Sequence, residues 1–161
     1  MPAIRRDSSR IAADALLDDT NLRLLDLLQA DARMSIAGLG RQVGLSSPAV
    51  AERLRRLESE GVITGYRAEI DPRRLGLSLA VVIRIRPAPR LLAEVAKLAR
   101  ETPEVVECHR VTGDDCYVMT AHVRDVEHLE EVIDAFAAYG QTTSSIMQSS
   151  PVPRRGLPLS D

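Results

Sequence analysis

The chain has 161 residues, 45% apolar and 27% charged, with a formal net charge of −2. That is a globular balance, sized for one ordinary domain or two small ones. No apolar run approaches the roughly 18 residues of a membrane span, and the N-terminus lacks a signal-peptide core. Cys108 and Cys116, the only cysteines, form neither a disulfide framework nor a CxxC pair, so the expected compartment is the cytoplasm.

Residues 1–17 show no clear period and are expected to form an N-terminal arm. From Asp18 the pattern sharpens. Asp18, Asp19 or Thr20 can cap a helix whose Leu24, Leu25 and Leu28 share one face. A second helix follows, capped by Ser35, with Ile36, Leu39 and Val43 at i, i+3, i+7 and Gly44 as its stop. Gly40 inside it points to a close helix contact. The third helix opens at "LSSPAV". Ser46 can accept from a first-turn amide, and Pro48 sits where no N–H is needed. Val50, Leu54 and Leu57 face inward, and Gly61 is the stop. At about 100° per residue, Pro48, Ala49, Glu52, Arg55 and Arg56 lie on the opposite face and Arg53 on the flank.

Two short β-runs around Thr64-Gly65 predict a hairpin wing, and "PRRLGL" a hinge. Residues 78–150 read strand, helix, strand, strand, helix, strand. Leu79, Val81, Ile83 and Ile85 alternate on one face of the first strand. Pro89 opens a helix using Leu91, Val95 and Leu98. Two strands flank a Gly113-Asp114 turn, which pairs His109 with Val118 and His122 with Val105 if Thr112 meets Asp115. Asp125 caps a helix with Val126, Leu129, Ile133 and Phe136 inward, and "TTSSIMQSS" is the last strand. This order predicts a βαββαβ antiparallel sheet with two helices on one face. Val82, Val106, Val118 and Ile146 are expected on the other, a face apolar enough to call for a partner subunit.

Charge follows the same division. Residues 19–77 carry 9 basic and 8 acidic side chains, and residues 78–150 carry 7 and 11, as expected if only the first part meets a polyanion. All basic side chains but Lys97 are arginines, which grip phosphate or guanine in a bidentate fork. Aromatics are 2%, too few for the base-stacking platforms of single-strand binders.

The three-helix block therefore reads as a helix-turn-helix for double-stranded DNA, its third helix entering the major groove. Ser46 and Ser47 suit phosphate, and Arg55 and Arg56 suit phosphate or guanine. Glu52 can accept from cytosine or pair with Arg56 at i, i+4. A solvated charged helix is the competing reading. Cys108, His109, Cys116 and His122 do not converge, and no metal-ligand spacing, nucleophile elbow or phosphate loop is present. No metal, cofactor or catalytic residue is expected.

The stretch "DARMSIAGLGRQVGLSSPAVAERLRRLESEGVITGY", running on to Leu75-Gly76, resembles the Lrp/AsnC (feast/famine) transcriptional regulators. It does so through Arg33, Ser35, Leu39, the Val43-Gly44-Leu45-Ser46 run, Val50, Arg53, Arg56-Leu57-Glu58, Gly61 and Gly65-Tyr66. The resemblance covers residues 18–150. It implies an α+β chain, with a winged helix-turn-helix and then a ferredoxin-like domain for effector binding and oligomerisation. It also implies sheet-joined homodimers, often octamers, and an amino acid or similar effector where dimers meet. The expected division is arm 1–17, DNA-binding domain 18–66, hinge 67–77, effector domain 78–150 and tail 151–161.

The expected DNA-facing set is Ser46, Ser47, Pro48, Ala49, Glu52, Arg53, Arg55 and Arg56. The turn Thr112, Gly113, Asp114, Asp115 and Cys116 matches the family's effector turn at Gly113 and Asp114, but Cys116 replaces its usual second aspartate. Tyr139, Gln141, Thr142, Thr143 and Ser144 resemble the family's last-strand entry, and their polar groups can complete the pocket. Two other function classes fit the same residues. One is a DNA-architectural protein without a dedicated effector. The other is a small-molecule-binding or enzymatic βαββαβ protein whose N-terminal helices mediate assembly.

Overall fold

The computed structural model describes residues 16–159, which divide into two compact units. The first spans the chain to Ala68 and takes back the segment from Val152 onward; the second runs from Glu69 to Pro151. Most of the expected N-terminal arm lies outside the described residues. Its last two residues do not behave as an arm: Leu16 is buried and Leu17 packs against the same core.

In the first unit, α1 (Asp19–Ala30) begins where the Asp18 carboxylate accepts from the Asn21 N–H at 2.7 Å. Asn21, itself buried, donates through Nδ2 to the Leu16 carbonyl at 2.7 Å, which holds the chain entering the helix. The second helix, α2 (Ile36–Val43), is capped by Ser35, whose Oγ accepts from Gly38 N–H at 3.0 Å. It ends on Gly44 at φ +71°, a left-handed position that glycine adopts without steric cost. The third, α3 (Ser47–Ser59), buries Val50, Leu54 and Leu57 as its spacing predicts. These three, with Leu16, Leu24 and Leu39, form the first core. Burying a leucine of this kind contributes about 2 kcal/mol.

Gly40 answers to a different neighbour than expected. A Cβ there would stand 2.5 Å from the Leu45 carbonyl oxygen, so the close approach is to the turn before α3, with the Val50 side chain farther off at 3.8 Å. The Leu45 N–H returns a hydrogen bond to the Gly40 carbonyl at 3.0 Å, which closes the tight turn between α2 and α3.

The expected hairpin wing is absent. Residues 64–70 form no strand and no ladder, and the segment after Gly61 runs as a single irregular arm. Thr64-Gly65 satisfies the turn signal, but each flanking run is too short to pair alone. The arm is anchored at its base: Val62 and Ile63 both donate to the Leu57 carbonyl, at 2.9 and 3.0 Å. Further on, the Tyr66 hydroxyl donates to Glu58 Oε1 at 2.9 Å. Burial and the Glu58 carboxylate push the Tyr66 phenol up to about 12.

The second unit opens with a short 3-10 turn, Pro72–Leu75, capped by Asp71. It then builds β1 (Leu79–Pro87), α4 (Leu92–Glu101), β2 (Val105–Arg110), β3 (Tyr117–Val123), α5 (Val126–Ala137) and β4 (Gly140–Ile146). The strands lie in the order β2-β3-β1-β4, every pair antiparallel, as the βαββαβ reading requires. Val81, Ile83 and Ile85 from β1 meet Tyr117, Met119, Ala121 and Val123 from β3 beneath Val95, Ala99, Leu129, Val132 and Phe136 of the two helices.

Details shift within this plan. Pro89 opens a separate 3-10 turn, Pro89–Leu91, and α4 starts one residue later. On α5 the buried face is His128, Leu129, Val132 and Phe136, while Val126 is exposed. His128 is a satisfied core histidine. Its Nδ1 accepts from Arg124 N–H at 3.3 Å, so Nε2 carries the proton toward Glu104 Oε1 at 3.0 Å.

The open sheet face is less apolar than expected. Val82 and Val118 lie there, but their cross-strand neighbours are Thr120, Ser145, Arg84 and His109, and Arg84 in turn faces Thr143. Ile146 pairs with Val81 and so shares the helix-covered face, and Val106 sits in a bulge between Val105 and Glu107. The same bulge explains His122. The turn-end register holds, with His109 opposite Val118, but Val105 pairs with Ala121, and His122 N–H reaches the Glu104 carbonyl at 2.9 Å.

Candidate DNA-reading helix and effector turn

On α3, Ser46, Ser47, Pro48, Glu52, Arg55 and Arg56 are exposed, and Ala49 and Arg53 are half-buried. Ser46 stands at the cap position in extended backbone, but its hydroxyl makes no capping hydrogen bond, contrary to the expectation. The first-turn amides of α3 thus lack the side-chain acceptor that Asp18 and Ser35 supply to α1 and α2.

The three arginines separate in role. Arg53 turns inward across the unit: its Nη1 donates to Asp18 Oδ2 at 2.7 Å and to Asn21 Oδ1 at 3.0 Å. That hydrogen bond is the main reason the Asp18 carboxyl lies below its ordinary value, with burial opposing it in part. Arg55 is paired with Glu52 at i, i+3, so Glu52 engages Arg55 and not Arg56 as its spacing first suggested. Arg56 is exposed, and among the described residues no carboxylate pairs with it.

The candidate effector turn joins β2 to β3. Val111 N–H donates to the Cys116 carbonyl at 3.0 Å, and Gly113 adopts φ +107°, which a residue with a side chain would resist. Asp114 is almost wholly exposed at its side chain, yet it does not stand alone. Arg86, from the end of β1, donates through Nε to the Asp114 carbonyl oxygen at 2.6 Å and places Nη2 3.5 Å from Asp114 Oδ1. Arg86 pairs across the sheet with Gln141 on β4, so Asp114, Arg86 and Gln141 form one polar row. Thr143, opposite Arg84, continues that face.

The other candidates lie elsewhere. Thr142 and Ser144 pair with Ile85 and Ile83 on the helix-covered side of the sheet, and Tyr139 and Cys116 pack against the second core. Gly140 is the residue that lets β4 close on β1. A Cβ there would overlap the Arg86 carbonyl and stand 2.5 Å from Pro87 Cα. Arg86 was not among the expected site residues. Its only sequence signal is the period-2 alternation of β1, which puts it beside Arg84 on the open face.

Among the described residues no three histidine, cysteine, aspartate or glutamate side chains gather as a metal site would need, and no helix is long and apolar enough to cross a membrane.

Comparison with known proteins covers both units. The model of the AsnC-type helix-turn-helix domain matches residues 17–58, and that of the Lrp/AsnC ligand binding domain matches residues 80–157. The HTH-type transcriptional regulator YezC of Bacillus subtilis is 40% identical over 83% of this chain and 95% of its own length. The leucine-responsive regulatory protein of Haemophilus influenzae is 34% identical over 73% of this chain and 72% of its own. Among solved structures, the feast or famine regulatory protein of Mycobacterium tuberculosis complexed with L-methionine superposes with a TM-score of 0.82 at 32% identity, covering 88% of this chain and 98% of that one. With a three-helix first unit, an antiparallel α+β sheet in the second and matches across both, the chain belongs to the Lrp/AsnC family of helix-turn-helix transcriptional regulators.

Proposed function

We propose that α3 reads duplex DNA with its first two turns. In this reading the backbone is held by the Ser46 and Ser47 hydroxyls and by the first-turn amides, to which a phosphate oxygen would supply the missing acceptor. Arg56 is the principal cation, Arg55 joins it when Glu52 releases it, and Arg53 serves as an internal clasp. Pro48, Ala49 and Glu52 face the base edges. The observation that carries this reading is the contrast within one helix: its leucines and Arg53 fasten it inward, while its serine-rich end and Arg56 stay open.

The second unit responds to an amino acid or a closely related metabolite. Two related regulators, from Mycobacterium tuberculosis and Neisseria meningitidis, are recorded with L-methionine. In this chain the polar row Asp114, Arg86 and Gln141 offers a carboxylate, a guanidinium and an amide, the groups that recognise an ammonium and a carboxylate together. The protein works as a homodimer that assembles further, to an octamer, with the open sheet face in the interface, and it acts in the cytoplasm without catalysing a reaction. A ligand switches such an assembly only by binding one state better than another. A panel of amino acids in thermal-shift and gel-shift assays tests this reading. One of them is expected to raise the melting temperature and change DNA affinity. A flat panel with intact DNA binding favours the architectural reading, which the Arg86 contact to the Asp114 carboxylate also suits.

A further inference from the structure

The C-terminal segment follows β4 in sequence yet belongs to the first unit. It is seated there by a paired amide contact. Leu157 N–H donates to Gln29 Oε1 at 2.6 Å, and Gln29 Nε2 donates to the Leu157 carbonyl at 3.0 Å. One side-chain amide thus satisfies both backbone groups of one residue, as a neighbouring β-strand would. The fit is close at Gly156, where a Cβ would stand 2.8 Å from Gln29 Oε1 and 2.9 Å from Gln29 Cδ. Leu157 and Leu159 line a groove of about 350 Å³ whose other walls are Leu25 and Leu28 of α1 and Val62 and Tyr66 of the arm after α3.

We propose that the first unit receives the chain's own C-terminal segment at Gln29, and that seating Gly156–Leu159 there, as one wall of this groove, holds the 62–67 arm against α1 and thereby sets DNA affinity. The arm has no ladder of its own, so its order comes from its anchors on Leu57 and Glu58 and from what it packs against. An arm ordered beforehand costs less entropy when the unit docks on a rigid duplex. The seated segment also brings the exposed Arg155 onto the DNA-binding unit. The effect on affinity rests on the DNA reading given above; the seating itself does not.

The test is hydrogen exchange on the full-length protein, parent against Gln29→Ala, with DNA affinity measured in parallel. Gln29→Ala keeps every tail residue, so it separates the latch from the charge of the tail. Exchange at the Leu157 amide is expected to rise roughly tenfold, with a smaller rise at Val62 and Ile63 and DNA binding weakened several-fold. A Leu157 amide that exchanges in the parent at the rate of an unstructured chain overturns the seating. Unchanged protection at Val62 and Ile63, or unchanged affinity when they do loosen, overturns the link to the arm and to DNA. A protein that binds no duplex at all, with Leu157 protected and the arm loosened by the substitution, leaves the latch standing and removes its effect on DNA. Pairing Gln29→Cys with Leu157→Cys, in a background of Cys108→Ser and Cys116→Ser, fixes the source of the tail. A disulfide within one chain supports the proposal, and one joining two chains assigns the seat at Gln29 to a second copy's tail and overturns it.

Discussion

Arg53 Nη1 lies 2.7 Å from Asp18 Oδ2, so α3 is tied by its own arginine to the cap of the first helix. Asp18 at the same time caps α1 through the Asn21 amide, and one carboxylate therefore fixes both the start of α1 and the flank of α3. Arg53→Ala is expected to cost about 1 kcal/mol, because the pair is partly exposed. The loss is pH-dependent with a defined sign. The folded Asp18 carboxyl is lowered, so its contribution is present above the ordinary aspartate range, roughly pH 4, and fades as pH falls through the lowered value. Denaturant unfolding of parent and variant at neutral pH and near pH 3 checks this: the gap between them should narrow in acid.

Glu52 occupies Arg55, and releasing it adds a cation to the face proposed to meet DNA. Glu52→Gln is expected to tighten binding to random duplex several-fold and to steepen its salt dependence by up to about one counterion. Fluorescence anisotropy on one duplex at several salt concentrations measures both. The same substitution exchanges an acceptor-only carboxylate for an amide that can also donate, so in the proposed reading discrimination between sequences should fall as overall affinity rises.

The Asp114–Arg86 contact makes a prediction for the second unit. Asp114→Ala removes the carboxylate, and Arg86→Ala frees the turn from β1. Each is expected to abolish the amino-acid shift in melting temperature while apo DNA binding stays within about twofold of the parent. A normal shift in Asp114→Ala moves the effector elsewhere; a normal shift in Arg86→Ala alone reduces Arg86 to a fastener of the turn.

Local signals were legible wherever a single element decided the outcome. The caps at Ser35 and Asp125, the left-handed stops at Gly44 and Gly61, and the inward face of α3 could all be read from spacing, while the cap of α1 was narrowed only to Asp18, Asp19 or Thr20. What could not be read depended on a distant partner. Helical spacing sets Arg53 on the flank and Arg55 outward, but only the meeting of α3 with Asp18 and Asn21 makes Arg53 a clasp. Arg86 gains its place from the register of three strands. A one-residue bulge moved His122 off its expected neighbour, a change that leaves no mark in the hydrophobic pattern. The contact between Gln29 and Leu157 joins residues 128 apart, and nothing in "PVPRRGLPLSD" announces it.

The most direct test of the account is the salt dependence of duplex binding by Arg56→Ala beside the parent, because Arg56 is the exposed cation on α3 that no carboxylate in the described structure holds. If α3 reads DNA as proposed, the variant binds roughly tenfold more weakly at moderate salt, and its slope of log affinity against log salt is shallower by about 0.9. Parent and variant lines that superpose across the series would contradict the placement of α3 on DNA.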